Sequence, residues 1–128
     1  PVLMVGLDAT LQHRMKKTAL LSLRDQLGDA GKFLWQIKQC YLKFYADKGV
    51  FDGFPIHDST AALALVHPEC FELRSGHLVC ETKGAQRGRT VLSASVNGPH
   101  TVAMGADSDK LTRRFEAAMQ AKYGIQAL

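Results

Sequence analysis

The residues best suited to chemistry stand side by side as His57 and Asp58, within Phe54-Pro55-Ile56-His57-Asp58-Ser59-Thr60-Ala61-Ala62-Leu63-Ala64-Leu65. An imidazole titrates near neutrality and suits proton transfer. A carboxylate is favoured where a helix begins, because the first backbone N–H groups are open there. Pro55 disfavours helix in the residue before it and removes a backbone donor. Asp58 or Ser59 can cap a helix start. Ala61 to Val66 is rich in helix formers, with Pro68 beyond as a stop. The pair therefore sits at the mouth of a buried helix. Two readings stay open: the pair serves a site, or Asp58 only caps the helix while His57 lies in the loop.

The elements that must position the pair can be read in order. Val2-Leu3-Met4-Val5, ended by Gly6, reads as a fully buried strand of the kind parallel sheets use. Asp8 and Thr10 follow at its C-terminal end, where open α/β sheets hold ligands; a turn and a cap are the plainer roles for them. Lys17 to Leu27 reads as a helix with Leu20, Leu23 and Leu27 on one face, and Gly28 ends it. Asp29 can cap a second helix from about Ala30 to Ala46. There Phe33, Leu34, Ile37, Tyr41 and Phe44 recur at helical spacing, the clearest amphipathic pattern in the chain. Tyr41 and Tyr45 lie four apart and point the same way. They are either core aromatics with their hydroxyls at the surface or part of a site. Asp47 to Gly53 reads as a flexible loop.

Beyond the His57 helix the pattern changes to period two. Phe71-Glu72-Leu73, Leu78 to Thr82 and Thr90 to Ser93 read as strands, with turns at Ser75-Gly76 and Gly84 and a hairpin connection at Arg87-Gly88-Arg89. Val102-Ala103-Met104 is another short strand. Asp107 or Ser108 caps a last helix from Asp109 to Lys122, with Leu111, Phe115, Ala118 and Met119 inward and Gly124 closing it. No internal repeat or low-complexity tract occurs.

Several short motifs, in order, resemble one family. Val5-Gly6-Leu7-Asp8-Ala9-Thr10 looks like the V-G-L-D-V-T strand end of the inosine–uridine-type nucleoside hydrolases, with Ala9 in place of valine. The stretch from Ile56 through Val91 (His-Asp-Ser-Thr-Ala, then His67-Pro68-Glu69-Cys70-Phe71, Glu81-Thr82-Lys83-Gly84 and Arg87-Gly88-Arg89-Thr90-Val91) resembles the C-terminal half of the same family. The likeness covers most of the chain and is weakest after about Asn97. It implies an α/β fold, the C-terminal part of an open mixed sheet flanked by helices, with residues 1–128 as a single partial domain. It also implies a chemistry: cleavage of the N-glycosidic bond of a ribonucleoside. The transition state is oxocarbenium-like on the sugar, and the leaving base gathers negative charge. On this likeness His57 matches the candidate proton donor beside the base, and Asp58 matches one carboxylate of a Ca²⁺ site that also grips the ribose. Tyr41 and Tyr45 match tyrosines of a mobile segment over the base pocket.

Ca²⁺ takes six to eight oxygen ligands, and Asp58 offers one or two. The family's other metal carboxylates come from a D-x-D-x-G-x-D-D motif, and its ribose-holding asparagine and glutamate also lie upstream; nothing like that motif occurs here. Residues 1–128 alone are thus expected to bind Ca²⁺ weakly and to be inactive. An opening at Pro1 straight into an apolar strand suits a fragment or a processed chain. The expected partners are a ribonucleoside when the site is complete, and either the missing half or a second copy. A non-catalytic remnant that self-associates is the alternative.

Composition limits the rest. A chain of 128 residues fits one domain with a real core. No apolar run approaches the ~20 residues of a membrane-spanning helix, and no signal peptide opens the chain. Cys40, Cys70 and Cys80 form no C-x-x-C pair, so they read as reduced, mostly buried thiols of a cytoplasmic protein. The net charge of +4 is scattered without interleaved aromatics, which argues against nucleic acid as a partner. His13, His67, His77 and His100 lack ligand spacing and read as surface or turn residues.

Overall fold

In a computed structural model, described for residues 1–125, twelve short pieces of chain build a mixed α/β unit. Their order is β1 (Leu3–Val5), α1 (Leu7–Thr10), β2 (Arg14–Lys16), α2 (Lys17–Gln26), α3 (Gly28–Ala46), β3 (Gly53–Pro55), α4 (His57–Val66), a 3₁₀ turn (Pro68–Cys70), β4 (Phe71–Cys80), β5 (Thr90–Ala94), β6 (His100–Ala106) and α5 (Ser108–Tyr123). The main sheet has the order β1-β6-β4-β5. β1 runs parallel to β6, and the other neighbours are antiparallel. This is the open mixed sheet expected from the sequence. A second ribbon pairs β2 with β3, Met15 opposite Phe54. Among the described residues no helix is long and apolar enough to cross a membrane.

Two apolar clusters hold the layers together. Leu20, Phe54 and Ile56 form one, covered by Met15, Trp35, Leu42 and Tyr45; Leu63, Cys70 and Leu111 form the other, with Phe71 and Ala106. Phe115 of α5 packs against both. α2 and α3 are split at Gly28, whose φ of 56° lies in the left-handed region that glycine tolerates best. The Asp107 side chain caps α5 by accepting from the Lys110 N–H, and this bond, with the Lys110 ammonium beside it, holds the Asp107 carboxyl below its usual range.

Several local expectations change. Ser75-Gly76 is no turn: β4 runs unbroken from Phe71 to Cys80, with a bulge between Glu72 and Leu73. A methyl on Gly76 would run into the Ser93 carbonyl oxygen of β5, and a methyl on Gly98 would run into the Gly76 backbone, so both positions are held to glycine by close backbone approach. Asp29 does not cap α3; it lies in the first turn, after an Leu27 N-cap that gives no side-chain bond. The amphipathic face of α3 is only partly used. Phe33 is 61% and Phe44 53% exposed, and Tyr41 and Ile37 are also open, while Trp35, Leu42 and Tyr45 pack inward. Ala118 is exposed rather than inward. Only Cys70 of the three thiols is buried; Cys40 and Cys80 are exposed.

His13 is the largest departure. It is 1% exposed, not a surface residue. Its Nδ1 lies 2.9 Å from Thr60 Oγ1, and the Thr60 hydroxyl donates to the Ile56 carbonyl at 2.8 Å. A hydroxyl has one hydrogen, so Thr60 accepts from His13, and His13 carries its proton on Nδ1. The His13 carbonyl accepts from the Ile56 N–H at 3.2 Å. This closed set of bonds ties the segment before β2 to the first turn of α4.

Burial lowers the His13 pKa from 6.5, since an imidazolium there would lose its water. The unfolded chain then binds more protons as pH falls through 6.5, and stability falls with it. The melting temperature should therefore drop between neutral pH and about pH 5, and His13→Gln should flatten that slope; an unchanged slope would discount His13 as the titrating group. Thr60→Val keeps the shape but strands the His13 donor and frees the Ile56 carbonyl. It should cost about 1–3 kcal/mol in urea unfolding, and a loss within measurement error would argue that water replaces both bonds.

Candidate active site

β3 delivers the chain into α4 through Gly53-Phe54-Pro55, all buried. α4 then begins at His57, two residues earlier than a cap at Asp58 would allow and three earlier than one at Ser59. The N-cap is Ile56, with no side-chain cap bond, and Asp58 lies in the first turn. Asp58 is therefore not the cap, and His57 is helical rather than in a loop. The open N–H groups of that turn still favour a carboxylate at Asp58. Asp58 is exposed and His57 half-buried.

Both residues line a cavity of about 560 Å³. Its apolar lining includes Leu20, Leu23 and Leu34 of α2 and α3 and Phe115 and Met119 of α5. Its polar lining comes from His57, Asp58 and Ser59 together with Lys38 and Tyr41. Such a concave, mainly apolar space with a few convergent polar groups is the usual form of a small-molecule site.

Both ring nitrogens of His57 are engaged. Nδ1 lies 2.7 Å from Thr10 Oγ1, and Nε2 lies 3.4 Å from the Tyr45 hydroxyl. Thr10 ends α1, directly beyond β1, so the strand end reaches the candidate site through a side chain that a turn-and-cap reading leaves unassigned. The signal for it was positional: a hydroxyl just past the C-terminal end of a parallel strand. Gln12 ties the same turn to the sheet, since its Oε1 accepts from the Ala106 N–H at 3.0 Å.

The two tyrosines separate. Tyr41 lines the cavity, and its ring lies 5.9 Å from that of Phe54. Lys38 Nζ sits 4.6 Å from the centre of the Tyr41 ring, a cation–π arrangement. Tyr45 reaches His57 but otherwise lines a shallow neighbouring groove with Cys40, Tyr41 and Phe44. Lys38 is the cavity residue that helical spacing alone assigns to the solvent face. Asp8, the other acid at the strand end, is exposed and does not line the cavity.

A divalent metal has a poor fit to these residues. Among the described residues no three His, Cys, Asp or Glu side chains gather as a metal-binding group. One exposed carboxylate falls well short of the six to eight oxygens that Ca²⁺ takes.

Comparison with known proteins fits this arrangement. Residues 1–113 match the family model described as inosine-uridine preferring nucleoside hydrolase. The chain is 35% identical over 88 residues to "Probable uridine nucleosidase 1" of Oryza sativa subsp. japonica, and 33% identical over 89 residues to "Probable uridine nucleosidase 2" of the same plant. These matches cover 69% and 70% of this chain but only 27% and 26% of the two relatives. A solved purine-preferring ribonucleoside hydrolase from Gardnerella vaginalis superposes with a TM-score of 0.79 at 31% identity, over 90% of this chain and 38% of its own. The chain thus spans well under half the length of the proteins it matches. With residues 1–113 matched by that family model and the fold superposing on a solved member, the chain belongs to the inosine–uridine-preferring nucleoside hydrolase family.

Proposed function

We propose that these residues form the leaving-base side of a nucleoside N-ribohydrolase site. The observation that carries this reading is the His57 ring, held at both nitrogens in the lining of a mainly apolar cavity. A departing base gathers negative charge as the bond to ribose breaks. His57 meets that charge by hydrogen bonding and, when protonated, by proton transfer. Tyr41 offers a ring against which a base can rest, and its hydroxyl offers a polar contact. Tyr45 steadies the Nε2 side of His57. The apolar walls keep water away from the base, which strengthens each of these contacts.

The sugar side is left to other groups. Asp58 would supply one carboxylate to a Ca²⁺ ion and the ribose hydroxyls, and the remaining donors would have to come from sequence resembling the D-x-D-x-G-x-D-D motif. That ion would activate the attacking water when bound. Residues 1–128 alone are accordingly inactive in this reading.

A second reading has its own observation. The open face of α3, with Phe33, Ile37 and Phe44 exposed, suits a non-catalytic chain that self-associates. Sedimentation separates the two: a concentration-dependent dimer with no nucleoside affinity supports the second.

Calorimetry with Ca²⁺ and hydrolysis assays with uridine and inosine should find neither tight binding nor turnover for the 128-residue chain; robust turnover by it would refute the division of the site. Mixing in the N-terminal part of a family member should restore Ca²⁺-dependent hydrolysis. In that mixture His57→Ala should lower kcat by roughly 10²–10⁴-fold, and full activity of the variant would remove His57 from the mechanism.

A further inference from the structure

Two threonine–histidine pairs cross between the turn after β1 and the start of α4. Thr10 meets His57, and His13 meets Thr60; each pair is separated by 47 residues. The hydrogen bookkeeping of the two pairs differs. At His13 the Thr60 hydroxyl is already donating to Ile56, which forces the ring proton onto Nδ1. Thr10 has no such second acceptor. It is 3% exposed, and among the described residues its hydroxyl has His57 Nδ1 as its one hydrogen-bond partner.

If the neutral His57 ring carried its proton on Nδ1, the Thr10 hydroxyl would have to accept. Its own hydrogen would then be buried with nothing to receive it, and a buried unmade donor costs more than the bond returns. With Nδ1 bare, the hydroxyl donates to it and no orphan remains. The ring proton then lies on Nε2, 3.4 Å from a half-buried Tyr45 hydroxyl that can accept or donate.

We propose that Thr10 is a positioning residue that sets the tautomer of His57, holding the ring proton on Nε2, opposite to the tautomer of His13. The inference rests on the hydrolase reading only for its consequence: the hydrogen that His57 turns toward a departing base is the one on Nε2. The bond orients the ring as well, because Nδ1 is pinned to α1 while α4 carries the backbone.

The test uses the 128-residue chain labelled with ¹⁵N at histidine, in two-bond ¹H–¹⁵N correlation spectra at a pH well above the ordinary histidine pKa of about 6.5. His57→Gln identifies the His57 signals. The expected spectrum shows Nε2–H at His57 and Nδ1–H at His13. Thr10→Val should move the His57 Nδ1 resonance to that of a nitrogen accepting no hydrogen bond, Thr10→Ser should restore it, and His13 should stay unchanged throughout. Nδ1–H at His57 in the unmodified chain overturns the proposal, whether or not the valine variant folds. So does a valine variant that leaves the His57 Nδ1 resonance where it was. A purely structural threonine would give neither the shift nor its rescue by serine. No nucleoside enters the measurement, so a wrong proton position and a wrong substrate class fail in separate experiments.

Discussion

The pair of crossed bonds between the α1 turn and the first turn of α4 is the constraint on which the candidate site depends. Thr10 to His57 and His13 to Thr60 join two segments 47 residues apart. The Ile56 N–H to His13 carbonyl bond closes the set. Without them, the mouth of α4 would be fixed only by the short β2–β3 ribbon and by packing of Phe54 and Ile56. Short hydrogen bonds in a buried place fix direction as well as distance. His57 therefore arrives at the cavity with its ring orientation settled by side chains from the far end of a β-strand.

That constraint couples the two parts of the fold. The α1 turn follows β1, which is parallel to β6 in the main sheet, and Gln12 bonds to the backbone at the end of β6. α4 continues into the cluster of Leu63, Cys70 and Leu111. The polar crossing thus lies between the sheet edge and the apolar layer under α5. Thr10, His13 and Thr60 are buried, His57 is half-buried, and the four are mutually satisfied, the condition under which a polar network specifies one arrangement. The cavity beside it is shaped by α2, α3 and α5, which supply its apolar walls, and Lys38 and Tyr41 of α3 add polar groups to those of α4.

Membership of the nucleoside hydrolase family and partial coverage of its members meet at this site. His57, Asp58, Lys38 and Tyr41 of the cavity lining lie within the matched length. The carboxylates a hard cation requires do not gather among the described residues. The open aromatic face of α3 belongs to the same picture, since a helix with an apolar stripe this wide ordinarily has something packed on it.

The sequence by itself determined the mixed α/β class, α2, α3, α4 and α5 to within a few residues, the stop signals at Gly28 and Gly124, and the His57-Asp58 pair at a helix mouth. Each follows from local physics: helical periodicity, the fixed φ of proline, the left-handed freedom of glycine, capping. Only the tertiary structure decided that α4 starts on Ile56 rather than on a capping side chain, that Ser75-Gly76 stays in a strand paired to β6 and, at Gly76, also to β5, and that the aromatic face of α3 lies open. It also decided that His13 is buried. A histidine carries no local mark of its partner, and here the partner is Thr60, supplied by a fold that brings the end of one turn against the start of a distant helix. Hydrogen-bond pairing across 47 residues is a property of the packed chain, and no spacing rule along the sequence can state it in advance.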